Sequence, residues 1–224
     1  MTSPDNYTAL LELPLFLGMS KNDLASVITL IKPRISVIAK GNTFIKENDV
    51  CDSLYFLMSG KVNAISNSDD NGYTLAEIVN ATAIFQPERI FGLKQRYTKT
   101  FQTVTECKLI KISKADVMKL SDEYEIFRLN LLNIICALSQ RNTRYQWRKR
   151  ETSIRGKIVR FIETRSIRPA GEKKLTIKLE TLGLEIGESR LNTSQELHKM
   201  HDSGLIIMKR NEIIIPAFEK LLMK

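Results

Sequence analysis

The sequence predicts an α+β protein with an N-terminal antiparallel β-roll, a long helix and a C-terminal winged helix-turn-helix. Three observations support this prediction. Residues 34–112 contain short β-branched and aromatic runs separated by turn residues, residues 114–150 have helical apolar spacing, and residues 151–224 mix helical and strand-like patterns. The spacing of the turn residues in the region 34–112 is typical of a small antiparallel barrel or roll.

Length and composition are compatible with two domains. The chain has 224 residues, 43% of them hydrophobic, which is enough for two modest cores. The sequence has no apolar run long enough to span a membrane, and its first residues lack the segments of a signal peptide, which predicts a cytoplasmic protein.

Cys51, Cys107 and Cys136 are far apart, which favours buried thiols over disulfides and predicts no metal site.

The net charge of +9 is confined to the C-terminal part of the chain. Residues 1–140 carry 15 Lys and Arg against 15 Asp and Glu, whereas residues 141–224 carry 19 against 10. A basic segment on one side of a protein is typical of a polyanion partner, so this segregation favours nucleic acid. Solvated surface lysines are the alternative explanation.

An amphipathic helix precedes the predicted strands. Ser20 is a suitable N-cap, and Leu24, Val27 and Ile31 follow at helical spacing. The strand runs that follow are "ISVIAKG", "TFIKEND", "SLYFLMSGKVNAIS", "YTLAEIV", "FQTVT" and "KLIKIS".

The predicted long helix carries an apolar seam with the spacing of a coiled coil. Its members step by 4, 3, 4 and 7 residues, which predicts a homodimer contact. Packing of this stripe on the protein's own β domain is the alternative, and Ile135 and Cys136 widen the apolar arc enough for both. The residues of the predicted seam are Phe127, Leu131, Ile134, Leu138 and Tyr145.

The C-terminal region predicts helix, strand, helix, turn, helix and hairpin in that order. An amphipathic helix begins near Ser153, and a later helix ends at Gly187, after which Ser189 can cap the next helix. After Gly204, two strand-like arms flank a basic tip at residues 209–212. This order is typical of a winged helix-turn-helix.

The helix after Gly187 has two different faces. At about 100° per residue, Thr193, Leu197 and Met200 share one side and are expected to face inward. The opposite side is polar, and such a face can contact base edges and a thymine methyl in the major groove. The predicted DNA-binding residues, with the hairpin tip included, are Ser189, Arg190, Leu191, Gln195, Lys199, Lys209 and Arg210.

Three segments together resemble the Crp/Fnr superfamily of transcription regulators. "LPLFLGMSKNDLASVI" resembles its opening helix, "KGNTFIKENDVCDSLYFLMSGKV" its first β-roll strands, and "GESRLNTSQELHKMHDSGLI" its recognition helix and the approach to the wing. The resemblance implies a cyclic-nucleotide-binding-like β-roll, a dimerising helix and a winged helix that reads an inverted-repeat operator in double-stranded DNA. It also implies RNA polymerase and a small-molecule effector as further partners.

The resemblance fails at the nucleotide site, within "FQPERIFGLKQRYTKTF". Members of the family that bind nucleotides use a glutamate for the ribose and an arginine for the phosphate, and these positions resemble Pro87 and Tyr97 here. A collapsed or repurposed pocket is therefore predicted, and cyclic AMP and other cofactors are not expected. The alternative is a shifted pocket at Glu88, Arg89, Arg96 and Tyr97. The family's iron–sulfur sensors cluster cysteines near the N-terminus, whereas this chain has none before Cys51.

These patterns predict three regions and one leading function. Residues 1–113 are the predicted sensor domain, residues 114–150 the dimerisation helix and hinge, and residues 151–224 the DNA-binding domain. The leading interpretation is a dimeric, sequence-specific transcription regulator. The alternative is a nucleotide-sensing or protein-interaction module without specific DNA binding. An enzyme is not expected, because the motifs provide no nucleophile–base pair, carboxylate pair or metal cluster.

Overall fold

The computed structural model describes residues 9–223. The first eight residues, which are part of the N-terminal stretch that lacks signal-peptide segments, lie outside the described residues. The chain divides into two compact units. Of the described residues, the first contains 9–62 and 79–143, and the second contains 63–78 and 144–223. Residues 63–78 therefore belong to the second unit, although the predicted boundaries place them within the sensor domain.

The first unit opens with a 3-10 helix, Ala9–Glu12, and helix α1, Lys21–Ile31. Ser20 caps α1 as predicted, because its hydroxyl accepts a hydrogen bond from the Asp23 amide at 3.1 Å. The Asp23 carboxylate accepts one from the Ser20 amide in return, at 3.2 Å. The helix buries Leu24, Val27 and Ile31, which are the apolar positions of the predicted pattern.

The strands predicted from the sequence are present and antiparallel. One four-stranded sheet has the order β1-β8-β3-β6, and β2 pairs with β7. The strands are β1 Arg34–Ile38, β2 Thr43–Ile45, β3 Ser53–Ser59, β4 Lys61–Asn67, β5 Tyr73–Asn80, β6 Ala83–Ile84, β7 Thr100–Thr103 and β8 Cys107–Ser113. A short 3-10 helix, Pro87–Arg89, follows β6.

Aromatic side chains form much of the core of the first unit. The ring of Phe85 lies 4.7 Å from that of Phe101 and 5.4 Å from that of Phe44. A second group joins Phe16 to Phe56 and Phe127, at 6.0 and 5.4 Å between ring centroids. These contacts connect the N-terminal segment, the sheet and the helices that follow it.

The helical stretch after β8 is two helices, and this corrects the prediction of one long helix. Helix α2, Lys114–Glu123, ends at Tyr124, which has an extended backbone with φ −121° and ψ 103°. Helix α3, Glu125–Gln146, begins at the next residue. The helical spacing of apolar residues continues across Tyr124, so this spacing alone could not locate the break.

The predicted dimer seam is wrong in its first half, because the protein's own core occupies that face of α3. Phe127 and Leu131 are buried within one chain, and Ile134, Leu138 and Tyr145 are half-buried. The opposite side of α3 is the exposed one, where Leu129 and Leu132 are 48% and 50% exposed. Cys136 lies on this exposed arc, which corrects the expectation of a buried thiol, whereas Cys51 and Cys107 are buried.

The second unit contains the C-terminal helices and a sheet. Its elements are α4 Ile154–Arg165, β9 Lys173–Ile177, α5 Leu179–Ile186, α6 Arg190–Asp202, β10 Ile207–Lys209, β11 Glu212–Ile215 and α7 Phe218–Leu222. Within this unit the strand order is β10-β11-β9-β5-β4. The hairpin predicted after Gly204 is present as β10 and β11, which pair directly.

Strand β5 contributes to the core of the second unit. Leu75 is 1% exposed and packs in the same cluster as Ile158, Leu175 and Leu197. It also lies opposite Leu175 in the register of β5 and β9. The core of this unit is therefore assembled from two segments of the chain that are far apart in sequence.

Candidate nucleic-acid interface and effector pocket

The turn between α5 and α6 has the two caps that the sequence predicted. Gly187 ends α5 in the left-handed conformation, at φ 67° and ψ 40°, and its amide donates to the carbonyls of Gly183 and Leu184. Ser189 then starts α6, because its hydroxyl accepts a hydrogen bond from the Asn192 amide at 3.1 Å. The hydroxyl of Ser189, a predicted DNA contact, therefore caps this helix.

Gly183 allows α5 to approach this turn closely, and the sequence interpretation missed it. A Cβ atom at this position would lie 2.8 Å from the Glu188 carbonyl oxygen and 3.5 Å from the Thr193 hydroxyl. Lys157 of α4 also holds the turn, with its ammonium 2.5 Å from the Glu188 carboxylate. This hydrogen bond lowers the pKa of Glu188, so the carboxylate stays ionised at neutral pH.

Helix α6 has a buried face and an exposed face. Thr193, Leu197 and Met200 are buried, as their spacing predicted. The Thr193 hydroxyl donates to the Ser189 carbonyl at 2.9 Å, so this buried polar group is satisfied. Gln195 and Lys199 are exposed, and Leu191 is 67% exposed although it is apolar.

The cations on this surface are held by exposed ion pairs. Arg190 lies 3.1 Å from Glu180 of α5, and both side chains are more than 60% exposed. Lys199 lies 3.5 Å from Glu196. The exposed pair of Arg190 and Glu180 contributes at most about 1 kcal/mol, so a phosphate could replace the Glu180 carboxylate at low cost.

The hairpin after α6 presents a basic tip. Lys209 and Glu212 are opposite each other in the register, and Asn211 takes the positive φ, 56°, that the tight turn between them requires. The Glu212 carboxylate lies 3.8 Å from the Lys209 ammonium and 2.5 Å from that of Lys174. Lys209 and Arg210 are both exposed.

Tyr97 cannot replace the arginine that binds phosphate in nucleotide-binding proteins. It is 2% exposed, and its hydroxyl donates to the Ser53 carbonyl at 2.6 Å. Burial raises the pKa of Tyr97 far above its ordinary value, and the adjacent Cys51 thiol adds to this shift. The side chain is therefore neutral, and its hydroxyl proton is donated to the backbone.

Other polar groups near Tyr97 are also engaged in hydrogen bonds or ion pairs within the protein. The Gln86 side-chain amide donates to the Thr98 hydroxyl at 2.6 Å and accepts from the Thr98 amide at 3.0 Å. Glu88 lies 3.7 Å from Arg89, and Arg96 donates to the Asn48 carbonyl at 2.7 Å. The predicted shifted pair of Glu88 and Arg96 is thus engaged with two different partners.

A cavity of about 420 Å³ lies beside this segment in the first unit. Arg89, Arg96 and Tyr97 line it, whereas Glu88 is not among the lining residues. Lys94 adds a third cation, which the sequence interpretation did not include. Three of the four predicted effector residues therefore share one cavity, and its charge suits an anion better than a ribose hydroxyl.

Comparisons with known proteins agree with this description of the first unit. Residues 36–124 match the family model of the cyclic nucleotide-binding domain. Among curated proteins, no sequence matches the chain. No helix within residues 9–223 is both long and apolar enough to cross a membrane.

Solved structures of transcription regulators resemble the chain. The sensor domain of DNR from Pseudomonas aeruginosa has a TM-score of 0.53 at 19% identity, covering 66% of this chain and 96% of that domain. An N-terminal domain of a regulator from Streptomyces coelicolor has a TM-score of 0.50 at 20% identity, with coverage of 65% and 99%. The catabolite activator protein of Thermus thermophilus has a TM-score of 0.49 at 16% identity, with coverage of 93% and 96%.

These comparisons confirm the predicted resemblance at the level of the fold. The family model describes a cyclic nucleotide-binding domain, and the DNR sensor domain and the Streptomyces coelicolor domain share the fold of 66% and 65% of this chain. The α+β class and the N-terminal β-roll of the prediction are therefore correct.

The close approach at Gly183 gives a testable prediction. Gly183→Ala should lower the midpoint of thermal unfolding by roughly 2–10 °C, because the added methyl must push the turn away from α5. Leu184→Ala is the matched control on the same helix, since Leu184 is 83% exposed. Calorimetry that gives Gly183→Ala the same midpoint as the wild type would show that the two helices are not in close contact.

Proposed function

We propose that the protein is a dimeric, sequence-specific DNA-binding transcription regulator of Crp/Fnr type. In this proposal residues 151–224 form a winged helix-turn-helix, α6 enters the major groove, and the β10–β11 hairpin is the wing. The observation that carries the proposal is the exposed polar face of α6 beside a basic hairpin tip, within residues 141–224, which hold the whole net charge. The protein would act on chromosomal DNA in the cytoplasm, with RNA polymerase as a further partner.

The exposed residues of α6 have the chemistry for reading base edges. Gln195 can bond two edge atoms of adenine, Arg190 can bond guanine, and Leu191 can cover a thymine methyl. An exposed leucine is costly in water, so burial against a methyl group would give it a favourable environment. Ser189 would orient the first turn of α6, where helix-turn-helix proteins place their base contacts.

The remaining cations suit the phosphate backbone. Lys199, Lys209 and Arg210 are exposed around α6 and the hairpin. Their contacts would be independent of sequence and sensitive to salt, because each neutralised phosphate releases counterions. The weak ion pairs of Arg190, Lys199 and Lys209 would exchange their carboxylates for DNA.

The exposed arc of α3 is the proposed dimer contact. Ile126, Leu129, Leu132 and Cys136 lie within about 120° of one another around the helix, and the two leucines are half exposed. A second copy of the same helix would cover this arc by a two-fold contact, which an inverted-repeat operator requires. This arc replaces the seam that was predicted from the heptad spacing.

The β-roll is the proposed sensor, with an effector other than cyclic AMP. Tyr97 is neutral and bonded to the backbone, and Gln86 and Thr98 bond each other. A cyclic phosphate would therefore meet no free cation at Tyr97. The cavity lined by Arg89, Lys94 and Arg96 supports an anionic effector bound beside that position. No enzymatic activity is proposed.

The first prediction concerns base readout. Gln195→Ala should weaken binding to an operator selected from random DNA by roughly 1–3 kcal/mol and leave binding to scrambled DNA nearly unchanged. Lys209→Ala and Arg210→Ala should weaken binding to both DNAs and lower the salt slope by about one unit each. Binding titrations at several salt concentrations measure both effects. The operator should contain half-sites about 34 Å apart.

Lys220→Ala is the matched control, because it removes an exposed cation of the same unit that lies outside α6 and the hairpin. It should leave the salt slope unchanged. An equal loss of affinity for both DNAs in Gln195→Ala, or none for either, would exclude α6 as the reading element. Wild-type protein that selects no DNA sequence would instead support the nucleotide-sensing or protein-interaction alternative.

The second prediction concerns the dimer. Leu132→Asp should convert a dimer into a folded monomer, because it places a charge in the exposed arc of α3. Leu131→Asp should unfold the first unit instead, because Leu131 is only 6% exposed within one chain. Sedimentation and circular dichroism distinguish these results. A Leu132→Asp protein that remains dimeric would exclude this arc.

The third prediction concerns the effector. Cyclic AMP at millimolar concentration should not shift thermal unfolding, although a ligand at 100 times its dissociation constant stabilises a protein by about 2.7 kcal/mol. Micromolar binding that is lost in Arg96→Ala would mean that the shifted pocket holds the nucleotide after all. Isothermal calorimetry of both proteins makes this comparison.

A further inference from the structure

Strand β9 of the second unit is paired along both of its edges. On one side it pairs with β11 of the hairpin, from Lys173↔Ile215 to Thr176↔Glu212. On the other side it pairs with β5 over five residues, from Tyr73↔Ile177 to Glu77↔Lys173. Without β5, this edge of β9 would present unpaired amides and carbonyls, an arrangement that proteins normally avoid.

Two side chains of β5, Leu75 and Glu77, are buried in this unit. Leu75 and Leu175 face each other and are 1% and 0% exposed. The ring of Tyr73 meets the edge of Phe161 of α4 at 5.2 Å. Its hydroxyl accepts a hydrogen bond from Arg165 at 2.8 Å, and the Arg165 guanidinium stacks 3.9 Å from the centroid of Phe161.

Glu77 and Lys173 form a fully buried ion pair within this sheet. Both side chains are 2% exposed, and the ammonium donates directly to the carboxylate. The carboxylate also accepts the Ile167 amide, at 2.7 and 3.0 Å to its two oxygens. Removal of either partner would leave a buried charge without a counter-charge, which is strongly destabilising.

The hairpin that carries β5 has a tip held by its own bonds. Ser68 donates to the Asp70 carboxylate at 2.6 Å, and the Gly72 amide donates to it at 2.9 Å. These bonds lower the pKa of Asp70, because both stabilise the ionised carboxylate.

We infer that β5 is a structural strand of the proposed DNA-binding unit and that Glu77 is a positioning residue for the wing. Glu77 holds Lys173 at the start of β9, and Lys173 lies opposite Ile215 of β11, the outgoing arm of the wing. The DNA-binding unit is thus completed by a segment that the chain supplies before the long helix. The part of this inference that concerns DNA rests on the proposed function.

Hydrogen exchange in the full-length protein tests the structural part. Glu77→Gln keeps the shape of the side chain but leaves the Lys173 charge buried without a counter-charge. Amides of β9 and β11 should then exchange roughly a hundredfold faster, while those of β8 in the first unit stay unchanged. Unchanged exchange in β9 and β11 would overturn the inference.

A matched control variant and a rescue variant distinguish the loss of the Glu77–Lys173 ion pair from general destabilisation of the second unit. Lys174→Met removes the neighbouring cation of β9, whose ion pair with Glu212 is half exposed, and should leave exchange in β9 nearly unchanged. Glu77→Leu combined with Lys173→Met replaces the ion pair by apolar groups and should restore slow exchange. If Glu77→Gln does not fold, recovery of the fold in this double variant supports the inference, and failure to recover overturns it.

The salt dependence of DNA binding tests the positioning role. A displaced wing should lose its phosphate contacts, so Glu77→Gln should lower the salt slope by about one to two units. A loss of folded protein alone would reduce the active fraction and leave the slope unchanged, which would overturn the positioning role. If the wild type binds no DNA while exchange changes as expected, the proposed function fails and the structural role of β5 stands.

Discussion

The buried contact between Glu77 and Lys173 is the constraint on which the second unit depends. Two opposite charges, each 2% exposed, hold β5 against β9 at the point where the sheet meets the end of α4. The Ile167 amide, just after α4, bonds the same carboxylate. Because neither charge is stable there alone, helix, strand and hairpin have to be brought together in one arrangement.

The surface proposed for DNA has the opposite physical character. Its cations form pairs that are largely exposed, as in Arg190 with Glu180, and these contribute little to stability. The backbone beneath these cations is held by close contacts. Gly183 packs against the turn between α5 and α6, and Ser189 caps the start of α6. A rigid backbone that carries weakly held charges is well suited to exchanging carboxylates for phosphates.

The β-roll combines the fold of a cyclic nucleotide-binding domain with Pro87 and Tyr97 at the positions predicted for the nucleotide site. Its strands and its family match are those of a cyclic nucleotide-binding domain. The residues at the nucleotide position instead satisfy one another, with Tyr97 bonded to Ser53 and Gln86 bonded to Thr98. The neighbouring cations Arg89 and Arg96 line a cavity that Tyr97 and Thr98 also line. A fold therefore does not determine its ligand, because the ligand is selected by a few side chains.

The sequence by itself determined the features that depend on neighbouring residues. The caps at Ser20 and Ser189 and the inward face of α6 were all predicted correctly, because each involves groups within a few residues or one helical period. The prediction of a changed nucleotide site also rests on residue type alone, at Pro87 and Tyr97.

Only the tertiary structure decided which surfaces meet. The period of α3 revealed an apolar stripe but could not tell whether the stripe faces its own core or a second chain, and Phe127 proved to be core. The break at Tyr124 was hidden because the apolar spacing continues across it. The pairing of Glu77 with Lys173 joins residues 96 positions apart, and either residue taken alone resembles an ordinary surface charge. Such contacts are decided by packing between distant segments, for which local spacing carries no signal.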